Sequence, residues 1–249
     1  MINDAKSNIA LLIDGDNAQS SLVKEIIEEV SKYGKATIRR IYGDWTLPTM
    51  RSWKEVLNEN SLNPIQKFSY TSGKNSTDSA LIIDAMDILH QKTVDGFCIV
   101  SSDSDFTGLA KRIREEGMFV MGIGKKMTPI SFVNSCEIFT FTENLSVEDE
   151  EPVKDKEPQS RPKEARVAKI DKKVLAKIEK AFDISANEED HAHVSSMGNA
   201  LRKIEPSFDT RTYGFRTLSA LIASLSRYEI VNNKVNGLNH PLVKRKENG

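Results

Sequence analysis

Three short acidic segments carry the chemistry that can be read from this chain. They are Asp14-Gly15-Asp16-Asn17, Asp78 at the start of an apolar-periodic stretch, and Asp103-Ser104-Asp105. Carboxylates gathered in one cleft repel one another. They stay ionised only where a cation neutralises them; otherwise one takes up a proton. An all-oxygen ligand set suits a hard ion, Mg2+ or Mn2+. No His or Cys cluster has zinc spacing. Such an ion lowers the pKa of a bound water and stabilises the leaving oxygen of a phosphodiester, so hydrolysis needs no nucleophilic side chain. Asp, Asn and Ser are also turn and N-cap residues, and any one of these acids alone reads better as a cap. All three clusters together, at the positions set out next, read as a site.

The elements around them alternate between two periodicities. Asn8 to Ile13 is a short apolar run that reads as a buried strand and delivers Asp14. Ser20 to Tyr33 has Leu22, Val23, Ile26, Ile27 and Val30 at helical spacing, and Gly34 stops it. Ala36 to Tyr42 reads as a strand, Met50 to Leu57 as a helix and Asn63 to Phe68 as a strand. A Gly/Ser/Lys loop over 69–76 precedes a helix from Asp78 to His90. Gly96 to Val100 is a buried strand just before Asp103, and a helix follows to about Glu116. Phe119 to Ile123 and Ile138 to Phe141 complete the strands. Strand–helix alternation predicts an α/β fold with a parallel, three-layer sheet. In open sheets of this kind, sites form beyond the carboxyl ends of strands, near the point where strand order reverses. Two strand ends and one helix N-terminus would bring the acids together there. Asp84 and Asp87, three apart on the Asp78 helix, read as a solvated face, although Asp84 has apolar neighbours and could support the site.

The chain has 249 residues, 39% hydrophobic and 29% charged, enough for a core. Its formal net charge is −1, so any basic footprint for nucleic acid must be local. The two cysteines, Cys98 and Cys136, sit in apolar stretches and read as buried thiols. Met1 to Ser7 is polar and lacks a signal-peptide core, and no stretch approaches the roughly 18 apolar residues of a membrane span. The expected location is therefore the cytoplasm, with no membrane contact.

Residues 147–169 mix both charges with prolines and almost no large apolar residue, and read as a charged flexible linker. It separates residues 1–146 from residues 170–249. Beyond it, helices are expected over Lys172 to Phe182, Val194 to Ile204 and Phe215 to Ser226. Extended pieces follow at Tyr228 to Val231 and Leu238 to Val243. Three helices and a hairpin indicate a small winged helix-turn-helix domain. His191 and His193, beside Glu188, Glu189 and Asp190, read as a polar lead-in to the second helix rather than a metal site.

The motifs LLIDGDN, KNSTDSALIIDAMD, GFCIVSSDSDFTGLA and VMGIG, in this order, resemble the NYN domain of the PIN-like nuclease superfamily, its LabA-like branch, over roughly Asn8 to Thr140. The resemblance implies a Rossmann-like sheet and a metal-dependent ribonuclease site, for which the oxygen-only ligands suit Mg2+ or Mn2+. It implies Asp14, Asp78, Asp103 and Asp105 as catalytic acids, and these four with Asn17 as metal ligands. Asp16 stays outside that set. The stretch HAHVSSMGNALRKIEPSFDTRTYGFRTLSALIASLSRYEIV resembles the OST-HTH or LOTUS domain, over about Asp171 to Arg245. Val194, Met197, Gly198, Leu201, Pro206, Phe208, Tyr213, Gly214, Leu218 and Leu221 carry much of that likeness. It implies RNA binding or docking of a partner protein.

Basic residues near the acids, Lys74, Lys125 and Lys126, are candidate phosphate contacts. Arg202, Lys203, Arg211 and Arg216 are candidates in the second domain. Each of the three lysines alone reads better as solvated surface, and for the four in the second domain the two readings stand even. Arg39 and Arg40 fall inside a predicted strand, and Trp45 and Trp53 read as core anchors, with base stacking by Trp45 the alternative. The function expected from all this is endoribonuclease action, the second domain recruiting RNA or a partner. The alternatives are an RNA-binding adaptor without catalysis and a metal-dependent nuclease acting on DNA. Against the adaptor, a repulsive acidic cluster also repels phosphate.

Overall fold

The computed structural model describes residues 7–68, 76–145, 170–235 and 238–246. It divides into two compact units, Met1–Glu148 and Asp149–Gly249. The segment read as a linker, 147–169, lies outside the described residues, as does the loop carrying Lys74.

The first unit is a six-stranded parallel sheet. Its strands are β1 (Asn8–Asp14), β2 (Lys35–Gly43), β3 (Asn63–Gln66), β4 (Gly96–Val100), β5 (Phe119–Gly124) and β6 (Ile138–Phe141). They lie in the order β3-β2-β1-β4-β5-β6. The chain runs outward from β1 in one direction, then restarts beside β1 with β4. The strand order therefore reverses between β1 and β4, the place in an open sheet beyond whose carboxyl ends sites form. β1, β4 and β5 are buried along almost their whole lengths because both sheet faces are covered.

On one face lie α3 (Ser76–Gln91), α4 (Thr107–Glu115) and α5 (Ile130–Ser135). Leu81, Ala85, Ile88, Leu109, Ile113 and Phe132 from these helices meet Leu12, Tyr42, Phe97 and Ile99 from the sheet. On the other face lie α1 (Val23–Ser31) and α2 (Arg51–Val56), where Ile26, Val30 and Trp53 meet Leu11, Ile13, Ile41 and Cys98. Alternate residues of β1 thus feed opposite cores, the two-residue period of a strand. Cys98 and Cys136 are both buried free thiols.

Element ends differ from the sequence expectation where a local bond decides them. The predicted Ser20–Tyr33 helix is a single tight turn, Ser20–Leu22, followed by α1. The short α5, which periodicity over so few residues cannot reveal, starts after Pro129.

The second unit contains α6 (Lys172–Ser185), α7 (Val194–Ile204) and α8 (Leu218–Ala223). They bury Ile178, Phe182, Met197, Leu201, Leu221 and Ile222 in one core. The third helix starts later than Phe215. Thr217 caps it by accepting from the Ala220 amide at 3.1 Å, and Gly214 turns the chain beforehand with φ 82°. A three-stranded antiparallel sheet joins β7 (His191–His193), β11 (Leu242–Arg245) and β8 (Tyr228–Val231) in that order. The pair β9 (Lys234–Val235) and β10 (Leu238–Asn239) lies between β8 and β11 in the chain, which is the arrangement of a wing. His191 and His193 therefore belong to a strand. Pairing with β11, a partner distant in sequence, creates it. Among the described residues, no helix is long and apolar enough to cross a membrane.

Candidate metal centre

β1 ends at Asp14, and β4 ends one residue before Ser101, on the neighbouring strand. Asp14 is fully buried. Its Oδ2 accepts from Ser101 Oγ at 2.8 Å and from Asn17 Nδ2 at 2.7 Å, and its Oδ1 from the Asp16 amide at 3.2 Å. Burial raises the Asp14 pKa, and these three donors partly offset that rise. Asn17 holds Asp14 through its amide nitrogen, so its structural task is to orient that carboxylate. Ser101, which sequence reasoning did not single out, helps orient the Asp14 carboxylate. Its bond to Asp14 ties the ends of β1 and β4 together, and its Oγ also accepts from the Asp103 amide at 3.1 Å.

Asp103 caps the turn Ser104–Phe106 by accepting from the Asp105 amide at 2.9 Å. The cap reading is therefore correct for Asp103, and it coexists with the site. Asp78 reaches the same place from the first turn of α3 and is buried. One carboxylate oxygen each from Asp78, Asp103 and Asp105 lies within 4.8 Å of the other two. Asp14 is not among these three, but its charge acts on Asp78. Burial first, then the charges of Asp14, Asp103, Asp105 and Asp16, push the Asp78 carboxyl up to about 6. A hard divalent cation fits this donor set, which is oxygen-only, converging and mutually repulsive.

Surrounding contacts hold the loops. Trp53 Nε1 donates to Gly15 O at 3.1 Å and pins the turn after Asp14. Trp45 Nε1 donates to Ile65 O at 3.1 Å, so this indole serves as an anchor. Asp44, another buried acid at a strand end, accepts from Thr46 and Gln66 and pins its own loop. Arg40 and Tyr42 on β2 both bond Asp84 on α3, so Asp84 is not part of a solvated face, whereas Asp87 is exposed. Burial and the bond to Asp84 push the Tyr42 hydroxyl well up, so it remains a donor.

Gly124 at the end of β5 gives a first prediction. A Cβ there would lie 2.4 Å from Ser101 O and 2.7 Å from Thr128 Oγ1. The Ser101 amide itself donates to Ile123 O at 3.0 Å, so that backbone cannot yield cheaply. Gly124→Ala is expected to destabilise the fold by about 1–3 kcal/mol. Thermal unfolding of the metal-free protein checks it, and an unchanged Tm contradicts the contact.

The basic candidates fall into different settings. Lys125 follows β5, and its amide donates to Ser102 Oγ at 2.9 Å, which brings its backbone to the acidic loop. Lys126 is exposed, with its amide bonded to Glu143. In the second unit Arg202, Lys203 and Arg216 are exposed. The Arg211 guanidinium is paired with Asp209, at 2.6 Å for Nη2 to Oδ2, which ties it to its own turn. Among the described residues, Asp78, Asp103 and Asp105 are the one group of three acids, His or Cys placed to hold a metal, and His191 and His193 are not in it.

Residues 8–145, more than half of the chain, match the family model of the NYN domain. The chain belongs to the NYN domain family. NYN domains are part of the PIN-like nuclease superfamily, so the strand-order reversal between β1 and β4 lies in a nuclease-type fold. Residues 165–239 match the OST-HTH/LOTUS domain, a module that binds RNA or proteins. No curated protein matches this chain. Among solved structures, the NYN-containing chain is similar to a protein of unknown function from Vibrio parahaemolyticus. The TM-score is 0.47 and the identity 21%, covering 56% of this chain and 94% of that one.

Proposed function

We propose that this protein is a divalent-metal-dependent endoribonuclease, with its second domain recruiting RNA or a partner protein. The observation that carries the reading is the convergence of Asp78, Asp103 and Asp105 oxygens within 4.8 Å, at the strand-order reversal of an NYN domain. Asp78, Asp103 and Asp105 would hold Mg2+ or Mn2+ directly. Asp14, oriented by Ser101 and Asn17, supplies a further fixed carboxylate beside them. A bound divalent cation would acidify a water and offset charge on the phosphodiester. The residues themselves fix where that cation would sit, and its charge would in turn keep the clustered carboxylates ionised. Lys74, Lys125 and Lys126 serve as phosphate contacts that position the backbone without reading sequence. Arg202, Lys203 and Arg216 serve the same end in the second domain. Arg211 is the weakest of the four, since Asp209 already occupies it. A cytoplasmic location fits an RNA substrate.

The test is a cleavage assay on labelled single-stranded RNA, hairpin RNA and matched DNA, with Mn2+, Mg2+ or EDTA. RNA cleavage that disappears in EDTA is expected. Cleavage of DNA in preference to RNA would replace the substrate. RNA binding without any cleavage would replace the enzyme with an adaptor.

A further inference from the structure

We propose that Asp84, gripped by Arg40 and Tyr42, is a positioning residue that sets where α3 holds the Asp78 carboxylate; the inference rests on the nuclease reading above. Asp84 lies on α3 six residues after Asp78, roughly 9 Å along the helix axis. Its Oδ1 accepts from Arg40 Nη1 and its Oδ2 from Tyr42 Oη. Both donors come from β2, two residues apart and hence on one face of the strand. Tyr42 is fully buried beneath α3 and sits in register with Asp14 on β1. One carboxylate thus links the helix that carries Asp78 to the strand beside Asp14.

α3 also packs on the sheet through the apolar side chains of Leu81, Ala85, Ile88 and Leu89. Hydrophobic contact is non-directional. It holds the helix down but leaves axial slide and rotation weakly defined. Two directional hydrogen bonds to one carboxylate, one of them from a guanidinium, define them. The Arg40 and Asp84 side chains retain 30% and 23% exposure, so their attraction adds little to stability. What the pair supplies is geometry. Mg2+ demands ligands at about 2.0–2.1 Å in a near-octahedral array. Small displacements of Asp78 relative to Asp103 and Asp105 therefore weaken binding.

The experiment compares the full-length wild type with Tyr42→Phe and Asp84→Asn. Mn2+ binding is titrated by electron paramagnetic resonance without RNA, and thermal unfolding is followed in parallel. The Mn2+ Kd is expected to rise about tenfold in Asp84→Asn, and by less in Tyr42→Phe. Cleavage should recover at high Mn2+ with the KM for RNA unchanged. A purely structural clamp lowers Tm and leaves the Mn2+ Kd unchanged well below Tm; that result overturns the proposal. If Asp84→Asn does not fold, Tyr42→Phe, which removes a single hydroxyl, decides by the same criterion. Failure of the wild type itself to bind Mn2+ overturns the metal reading and this inference with it. Wild-type binding with unaffected variants overturns this inference alone.

Discussion

Asp103→Asn is expected to lower Mn2+- or Mg2+-supported RNA cleavage by at least about a hundredfold while RNA binding survives, as for loss of one preorganised electrostatic group. The substitution separates two tasks that one side chain performs. Asp103 caps the turn Ser104–Phe106 through the Asp105 amide, and it brings a carboxylate oxygen within reach of Asp78 and Asp105. Asparagine caps as well as aspartate does, so the turn and α4 behind it are retained. What disappears is the charge, and with it much of the attraction for a divalent cation. Single-turnover cleavage, circular dichroism and a filter-binding measurement with the same RNA check the three parts. Equal cleavage by variant and wild type would move the active site elsewhere.

Asp78→Asn is expected to stabilise the metal-free protein at neutral pH. The Asp78 carboxyl is pushed from 3.8 up to about 6 by burial and by its acidic neighbours. Between these values the folded state binds a proton that the unfolded state does not. Stability from this group is therefore full below about pH 4 and is lost as pH rises through about 6. This is the reverse of an acid held low by a salt bridge. The shift corresponds to about 3 kcal/mol at most, and partial hydration reduces it to about 1–2 kcal/mol. Asparagine removes the repulsion. The N-terminal unit of the metal-free variant should melt about 3–8 °C higher than wild type at pH 7.5, with the gap closing near pH 4. Mn2+ should raise the wild-type Tm at pH 7.5 and raise the variant less, since ligand binding to the native state stabilises by mass action. A gap independent of pH, or a variant that melts lower at pH 7.5, would contradict the repulsion.

The positions of the acids were legible because apolar strands end in them. Asn8–Asp14 and Gly96–Val100 are continuous apolar runs, and the charged residues just beyond them mark carboxyl ends in a sheet buried on both faces. The α/β alternation likewise predicted the layers. Contacts distant in sequence were not legible. Ser101 donates to a residue 87 positions away, and Asp84 meets strand residues more than 40 positions away. No local period encodes such pairs, and Ser101 looked like ordinary turn composition in SSDSD. β7 was missed for the same reason, because its three residues become a strand only by pairing with β11. The start of α8 shows a different failure. The apolar stripe placed the start of this helix at Phe215, whereas the bond from the Ala220 amide to Thr217 sets its start at Leu218.

Diffraction from crystals soaked in Mn2+, measured for the anomalous signal of manganese, tests the central claim most directly. A peak within ligand distance of Asp78, Asp103 and Asp105, absent from Asp103→Asn crystals, is predicted. A well-ordered soaked crystal with no peak between these three carboxylates, or with its peak at another place in the fold, would contradict it.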